Sequence, residues 1–202
     1  MPLGAFKAAL MGTAGVSTGD VVLLSSQTAS NDSTISFTSG ITSTYGKYIF
    51  KFYNIEAASE TSFSFQVSTD GGSNYGLSIM SSSLNALKTE DDSSSAYLIY
   101  STGSDLANST SFQRLTNEQG TGADEAASGE LHLYNTSHTS DVKNWYSTLS
   151  YVNISHGTST QGAGCLRNSG YVNSTSDIDA IQFKMETGNI VTGTIKMWGV
   201  SQ

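Results

Sequence analysis

An all-β chain, folded as an antiparallel β-sandwich of jelly-roll-like form behind an extended N-terminal arm, is predicted by three features. The first is a two-residue alternation in the last quarter. Ile181, Phe183 and Met185 share one face while Gln182, Lys184 and Glu186 share the other; after a glycine-bearing loop, Ile195 and Met197 oppose Lys196 and Trp198. The second is composition. Ser and Thr supply 58 of the 202 residues and charged residues only 13%, which favours strands and turns and leaves few of the residues that helices prefer. The third is the ten tyrosines, eight phenylalanines and two tryptophans, more aromatic surface than a disordered chain carries.

In chain order, residues 1–20 form the arm. Leu3, Phe6, Leu10, Met11 and Val16 make it apolar, and a neighbouring subunit or an assembled surface is the predicted place for those side chains. Residues 21–202 form a single β-sandwich domain, long enough to bury a core without disulfides. Val21–Leu24 and Ile35–Phe37 are expected to be a first strand pair. In Lys47–Ile55, Tyr48, Phe50 and Phe52 alternate with Ile49, Lys51 and Tyr53, a pattern apolar on nearly both sides that suits a central strand. Phe63, Phe65 and Val67 run through Asp70-Gly71-Gly72 towards Tyr75, Leu77 and Ile79, and Asp-Gly-Gly between alternating segments predicts a structural hairpin.

Further strands are expected at Tyr97–Tyr100, Leu131–Tyr134, Trp145–Ile154 and Gly164–Val172. The polar, acidic stretch 101–128 has no sustained period. It is expected to be a long loop, with a short helical turn at Phe112–Leu115, in contact with a partner. Eight to ten strands joined this way fit a jelly roll.

Charge and composition also exclude functions. A net charge of −8 with nine scattered Lys and Arg opposes binding to a nucleic-acid backbone. The N-terminus has one cation, Lys7, and is interrupted by glycines, so it reads neither as a secretory signal nor as a membrane span. The single Cys165 is expected to be a buried small residue, the alternative being a free thiol. Five Asn-x-Ser/Thr tripeptides, at Asn31, Asn108, Asn135, Asn153 and Asn173, are close to what chance gives with 12 asparagines.

No constellation of catalytic groups emerges, and the chain is expected not to be an enzyme or to hold a cofactor. His132, His138 and His156 lack metal-ligand spacing and lie in no recognisable nucleophile or base context. Glu90, Asp91 and Asp92 read as a solvated turn, with a weak calcium site as the alternative. Ser68-Thr-Asp-Gly-Gly-Ser-Asn-Tyr75 is similar to the Asp-box of sialidases over eight residues. It occurs once, beside only two arginines, Arg114 and Arg167, so its meaning is structural. Tyr53 and Trp198 lie on the less apolar faces of their strands, as glycan-stacking or interface aromatics.

Several segments together resemble a family of phage virion proteins of marine and environmental phages. They are the apolar Met-Pro-Leu-Gly start, Tyr48-Ile-Phe-Lys-Phe-Tyr-Asn-Ile55, Phe65-Gln-Val-Ser-Thr-Asp-Gly-Gly-Ser-Asn-Tyr75, Ser128-Gly-Glu-Leu-His-Leu-Tyr-Asn135 and Ala180-Ile-Gln-Phe-Lys-Met185 followed by Thr192-Gly-Thr-Ile-Lys-Met-Trp-Gly199. His138 and the region of Trp145 depart from the pattern. The resemblance implies a jelly-roll-like head-decoration, cement, head-fibre or tail-fibre module, often a homotrimer, made in the host cytoplasm and located on the capsid or tail of the virion. The partners it implies are further copies of the chain, the major capsid or a tail protein, and host-surface glycan in the tail-fibre case.

Overall fold

The computed structural model describes residues 21–91, 96–154 and 161–201. Regular structure among them is entirely β: β1 Val21–Thr28, β2 Ile35–Phe37, β3 Lys47–Ala57, β4 Phe63–Ser68, β5 Ile79–Thr89, β6 Ala96–Tyr100, β7 Gln113–Arg114, β8 Ala127–Tyr134, β9 Lys143–Asn153, β10 Gly162–Val172, β11 Ala180–Met185 and β12 Ile190–Val200. They form an eight-stranded sheet, β1-β12-β3-β8-β9-β10-β5-β6, and a four-stranded sheet, β2-β11-β4-β7. The pairings are antiparallel.

Setting aside β5, β6, β9 and β10 leaves two facing sheets, β1-β12-β3-β8 and β2-β11-β4-β7, in which strands consecutive in sequence alternate between sheets except for β4 and β7, which pair within the short sheet. That is the order of an eight-stranded jelly roll. The remaining four strands come from two insertions, one after β4 and one after β8, and they lengthen one sheet beyond the β8 edge.

The alternating strands bury the faces their sequences predict. Tyr48, Phe50 and Phe52 of β3 are buried, as are Ile181, Phe183 and Met185 of β11 and Ile195 and Met197 of β12. Phe183 is central. Its ring centroid lies 6.3 Å from Phe37, 5.5 Å from Phe50, 5.2 Å from Phe52 and 5.9 Å from Phe63, so one side chain of the short sheet meets aromatic residues of both sheets. Phe65 meets Trp145 of β9 edge-on at 5.1 Å, which carries the core beneath the strand pair inserted after β8.

Pairing differs from the sequence expectation at two points. Val21–Leu24 and Ile35–Phe37 are not partners, because β1 pairs with β12 in one sheet and β2 with β11 in the other. The Asp70-Gly71-Gly72 turn does not close a hairpin either. β4 belongs to the short sheet and β5 to the long one, and residues 74–78 carry the chain between them. The turn signal is local and is present: Asp70 accepts from the Asn74 amide N–H at 2.9 Å and from its side chain at 2.6 Å, Ser68 Oγ donates to Asp70 at 2.7 Å, and Gly71 and Gly72 take φ of 71° and 83°. Turn chemistry fixes a change of direction but not which sheet receives the next strand.

The expected helical turn at Phe112–Leu115 is instead the short strand β7, paired with β4 through Ser64–Arg114 and Phe65–Gln113. The rest of 101–126 packs part of its length on its own chain. The short sheet covers only the jelly-roll half of the long one, and the inner faces of β9, β10 and β5 need another cover. These faces are unusually polar, presenting Ser81, Ser83, Asn85, Ser147 and Asn168, all buried. The 101–126 segment matches them with its own polar groups. Ser81 Oγ donates to Gln113 Oε1 at 2.6 Å, Gln113 Nε2 donates to the Ser104 carbonyl at 2.7 Å, and Asn168 Nδ2 donates to the Arg114 carbonyl at 3.1 Å. Low charge and abundant hydroxyls thus continue into the interior, as a hydrogen-bonded layer beside the aromatic core.

Three of the Asn-x-Ser/Thr asparagines, Asn31, Asn108 and Asn135, have φ of 61°, 51° and 52°. Asparagine tolerates the left-handed region better than other side chains, so at these positions the tripeptides are turns.

Candidate functional site on the outer face of the long sheet

The outer face of the eight-stranded sheet is uncovered by the described chain. Strand register orders its side chains into rows. One row runs Leu23, Trp198, Ile49, His132, Tyr146, Ser169 and Ser82 across β1, β12, β3, β8, β9, β10 and β5. The row on one side carries Lys196, Lys51, Glu130, Thr148, Arg167 and Leu84, and the row on the other carries Val200, Lys47 and Tyr134, then Asn144, Tyr171 and Met80.

Tyr53 and Trp198 are both on this face, but the structure does not join them. Tyr53 pairs across the ladder with Thr194 and Trp198 with Ile49, so the two are separated by four residues of β3, roughly 13 Å. Tyr53 is exposed, with the Lys196 ammonium 5.5 Å from its ring centroid. Trp198 is half-buried between Leu23 and Ile49, and its indole N–H is enclosed without a hydrogen-bond partner. The directly opposed Lys196 and Lys51 would repel. Glu130, 3.9 Å from Lys51, and the Tyr53 ring beside Lys196 offset that.

The site that sequence reasoning missed lies further along the row, where Tyr146, Tyr134 and Tyr171 converge from β9, β8 and β10. Tyr146 stacks on His132 with centroids 4.4 Å apart and planes 13° apart, and Tyr134 lies 6.1 Å away. Beside them Ser82 and Ser169, whose hydroxyls are 3.2 Å apart, are small enough to leave a floor. Tyr134, Tyr146, Tyr171 and Met80 rise around it and Asn144 sits at its end. The result is a shallow depression of about 560 Å³ with no charged side chain in its lining. Its residues come from four strands and three of them are single tyrosines in unremarkable contexts, so the only available signal was the outward phase of each strand. His132 is on the outer face as its alternation predicts, but the Tyr146 ring buries it, and its Nε2 lies 2.8 Å from Glu130 Oε1 off the hydrogen-bonding direction. Burial, together with the bond to Tyr146, raises the Tyr134 phenol above its ordinary value.

The other residues singled out from sequence are dispersed. His138 caps an exposed turn, its Nδ1 2.8 Å from Asp141. His156 and Asp92 lie outside the described residues, and among the described residues no three His, Cys, Asp or Glu side chains gather as metal ligands. Leu3, Phe6, Leu10, Met11 and Val16 also lie outside the described residues. Cys165 is a free, half-buried thiol on the outer face of β10, opposite Ser150 and Ala86, and not in the core as expected. Asp70 is held from an ordinary 3.8 down to about 2, first by the Asn74 side chain and then by Ser68. This is a stabilised turn carboxylate.

The far edge of the same sheet is the second exposed feature. In β6, Leu98 is 72% exposed, with Ile99 and Tyr100 also open; Leu98 and Tyr100 lie on the side of Ala86 and Leu84 of β5, and Leu84 is itself exposed. The edge has no charge and no proline, and its register with β5 is unbroken. The opposite edge, β1, is interrupted by a bulge between Leu23 and Ser25. Native edges usually carry such a guard. No family model matches the chain, and comparison with curated proteins and with solved structures finds no match either.

Proposed function

We propose that this chain is a non-enzymatic structural protein of a phage virion, a capsid decoration, cement or head-fibre protein that attaches through its N-terminal arm and assembles as a homotrimer. The observation that carries the reading is the unguarded apolar edge: Leu84, Leu98 and Tyr100 form a surface on one face, and Ile99 is exposed on the other, at the end of an inserted strand pair, where the jelly roll itself has no need of it. Such a patch calls for a partner, and symmetric association of copies around a capsid or fibre axis supplies one. The low-charge, hydroxyl-rich surface suits a particle exposed to salt, because little of its cohesion depends on screened ion pairs.

The test is immunogold electron microscopy of purified phage particles with antibody raised against the recombinant chain, coupled to sedimentation of the chain alone. Label over the heads supports decoration, and a trimer that Leu98→Lys converts to monomer supports assembly through β6. Absence of label from every particle refutes the reading. A second reading, a tail-fibre module that recognises host-surface glycan, is favoured by the tyrosine depression, and label confined to tails would select it.

A further inference from the structure

We infer that the depression between Tyr146 and Tyr171 is a binding site for a neutral carbohydrate, one pyranose ring stacking on Tyr146 with its hydroxyls meeting Asn144, Ser82 and Ser169. The inference gives the glycan reading a site, and it stands whether the chain belongs to heads or tails.

Four features converge. A sugar ring presents an apolar C–H face rimmed by hydroxyls, and an aromatic face beside short polar side chains is its complement. Tyr146 supplies such a face in a fixed orientation. One side of its ring is stacked on His132, and the residue is still 39% exposed. Its ring therefore gives up little freedom on binding.

The polar groups are present. The Asn144 side chain is exposed and makes no hydrogen bond among the described residues, and the Ser82 and Ser169 hydroxyls bond each other. Both can redirect a lone pair or a proton to a ligand. The volume, about 560 Å³, falls among those of small-molecule sites, and its shallow form suits a sugar at the end of a chain.

Charge then selects among sugars. Two cations stand near but outside it: Lys47, 5.6 Å from the Tyr134 ring centroid on the β3 side of that ring, and Arg167, in the adjacent row two residues along β10 from Ser169; the lining itself has no charged group. A sialylated, sulfated or phosphorylated sugar would bring an anion to a floor with no cation. A neutral hexose leaves no charge unpaired.

The experiment is a glycan array probed with the purified full-length chain, followed by calorimetry with the best neutral oligosaccharide. Saturable binding to neutral glycans is expected. Tyr146→Ala should weaken it roughly tenfold, the loss of one aromatic stacking contact, and Ser169→Phe should block it by filling the floor while leaving the fold intact by circular dichroism. Trp198→Ala, three strands away, should change nothing. Binding confined to acidic glycans, or insensitivity to Ser169→Phe, overturns the assignment, as does absence of binding to neutral glycan at millimolar concentration. A change of sedimentation coefficient in Tyr146→Ala without glycan binding would also overturn it and assign the face to a second copy of the chain. The measurement uses isolated protein, so its failure leaves the virion reading untouched.

Discussion

Replacing Asn168 by alanine tests whether the 101–126 segment is an internal cover held by its polar layer. Asn168 is 3% exposed on β10 and makes three bonds. Ser83 Oγ donates to its Oδ1 at 2.5 Å, and its Nδ2 donates to the Arg114 carbonyl and to Ser147 Oγ, each at 3.1 Å. Truncation leaves the Ser83 hydroxyl, the Ser147 hydroxyl and the Arg114 carbonyl without that partner, and Ser83 and Ser147 are buried. Each stranded group costs about 1–3 kcal/mol. Rotation of the two hydroxyls and entry of a water into the vacated space recover part of this. The net expectation is a loss of about 2–4 kcal/mol, with a fall in Tm of roughly 5–15 °C for a domain of this size. Urea unfolding followed by tryptophan fluorescence measures the first quantity, and hydrogen exchange at 104–119 shows where the loss is felt. Faster exchange there, with the β3 and β11 amides unchanged, is the predicted signature. A loss below about 1 kcal/mol without a local change in exchange would refute the idea that side-chain hydrogen bonds hold the cover.

Phe183→Ala removes the ring that four other phenylalanines meet and should cost at least about 3–5 kcal/mol in urea unfolding, because both sheets lose contacts at once. Gly193 sits at a register shift of β12 with φ of 121°, and a Cβ there would lie 2.6 Å from the Asn54 carbonyl oxygen. Gly193→Ala should therefore destabilise by more than about 1 kcal/mol by the same assay. The Asp70 carboxyl is more acidic folded than unfolded, so its contribution to stability is complete above about pH 4 and is lost as pH falls through about 2. Acid unfolding of Asp70→Asn should lack that component, and NMR titration of the carboxyl gives the folded value directly.

Strand positions and inward faces were legible because period two is a local property. Phe183 and Phe50 could be placed inside from their immediate neighbours. Pairing was not legible: β1 and β2 go to opposite sheets of the jelly roll and β4 and the inserted β5 to opposite sheets as well, so the proximity in sequence that suggested β1 with β2, or β4 with β5, points to the wrong partner. β5 beyond Ile79 escaped notice for another reason. Its buried face is Ser81, Ser83 and Asn85, residues that read as solvated until Gln113 and Asn168, supplied from elsewhere in the chain, are seen to satisfy the layer. The same blindness made 101–126 look like a free loop. The tyrosine depression was hidden because Tyr134, Tyr146 and Tyr171 meet only through the register of β8, β9 and β10.

The strand order also sets a timetable for synthesis. In the jelly-roll half, β11 lies between β2 and β4, and β12 lies between β1 and β3. Hence none of the first four strands to leave the ribosome is a partner of another, and the strands that join them are the last two made. At the ordinary pace of translation, about 5–20 residues per second, the roughly 130 residues between Phe52 and Phe183 hold the aromatic face of β3 away from its chief partner for several seconds or more. Over that interval a nascent chain carries unpaired apolar strands, the condition that promotes aggregation. High-level production should therefore benefit from chaperones or from fewer chains made at once, even if the finished sandwich is stable.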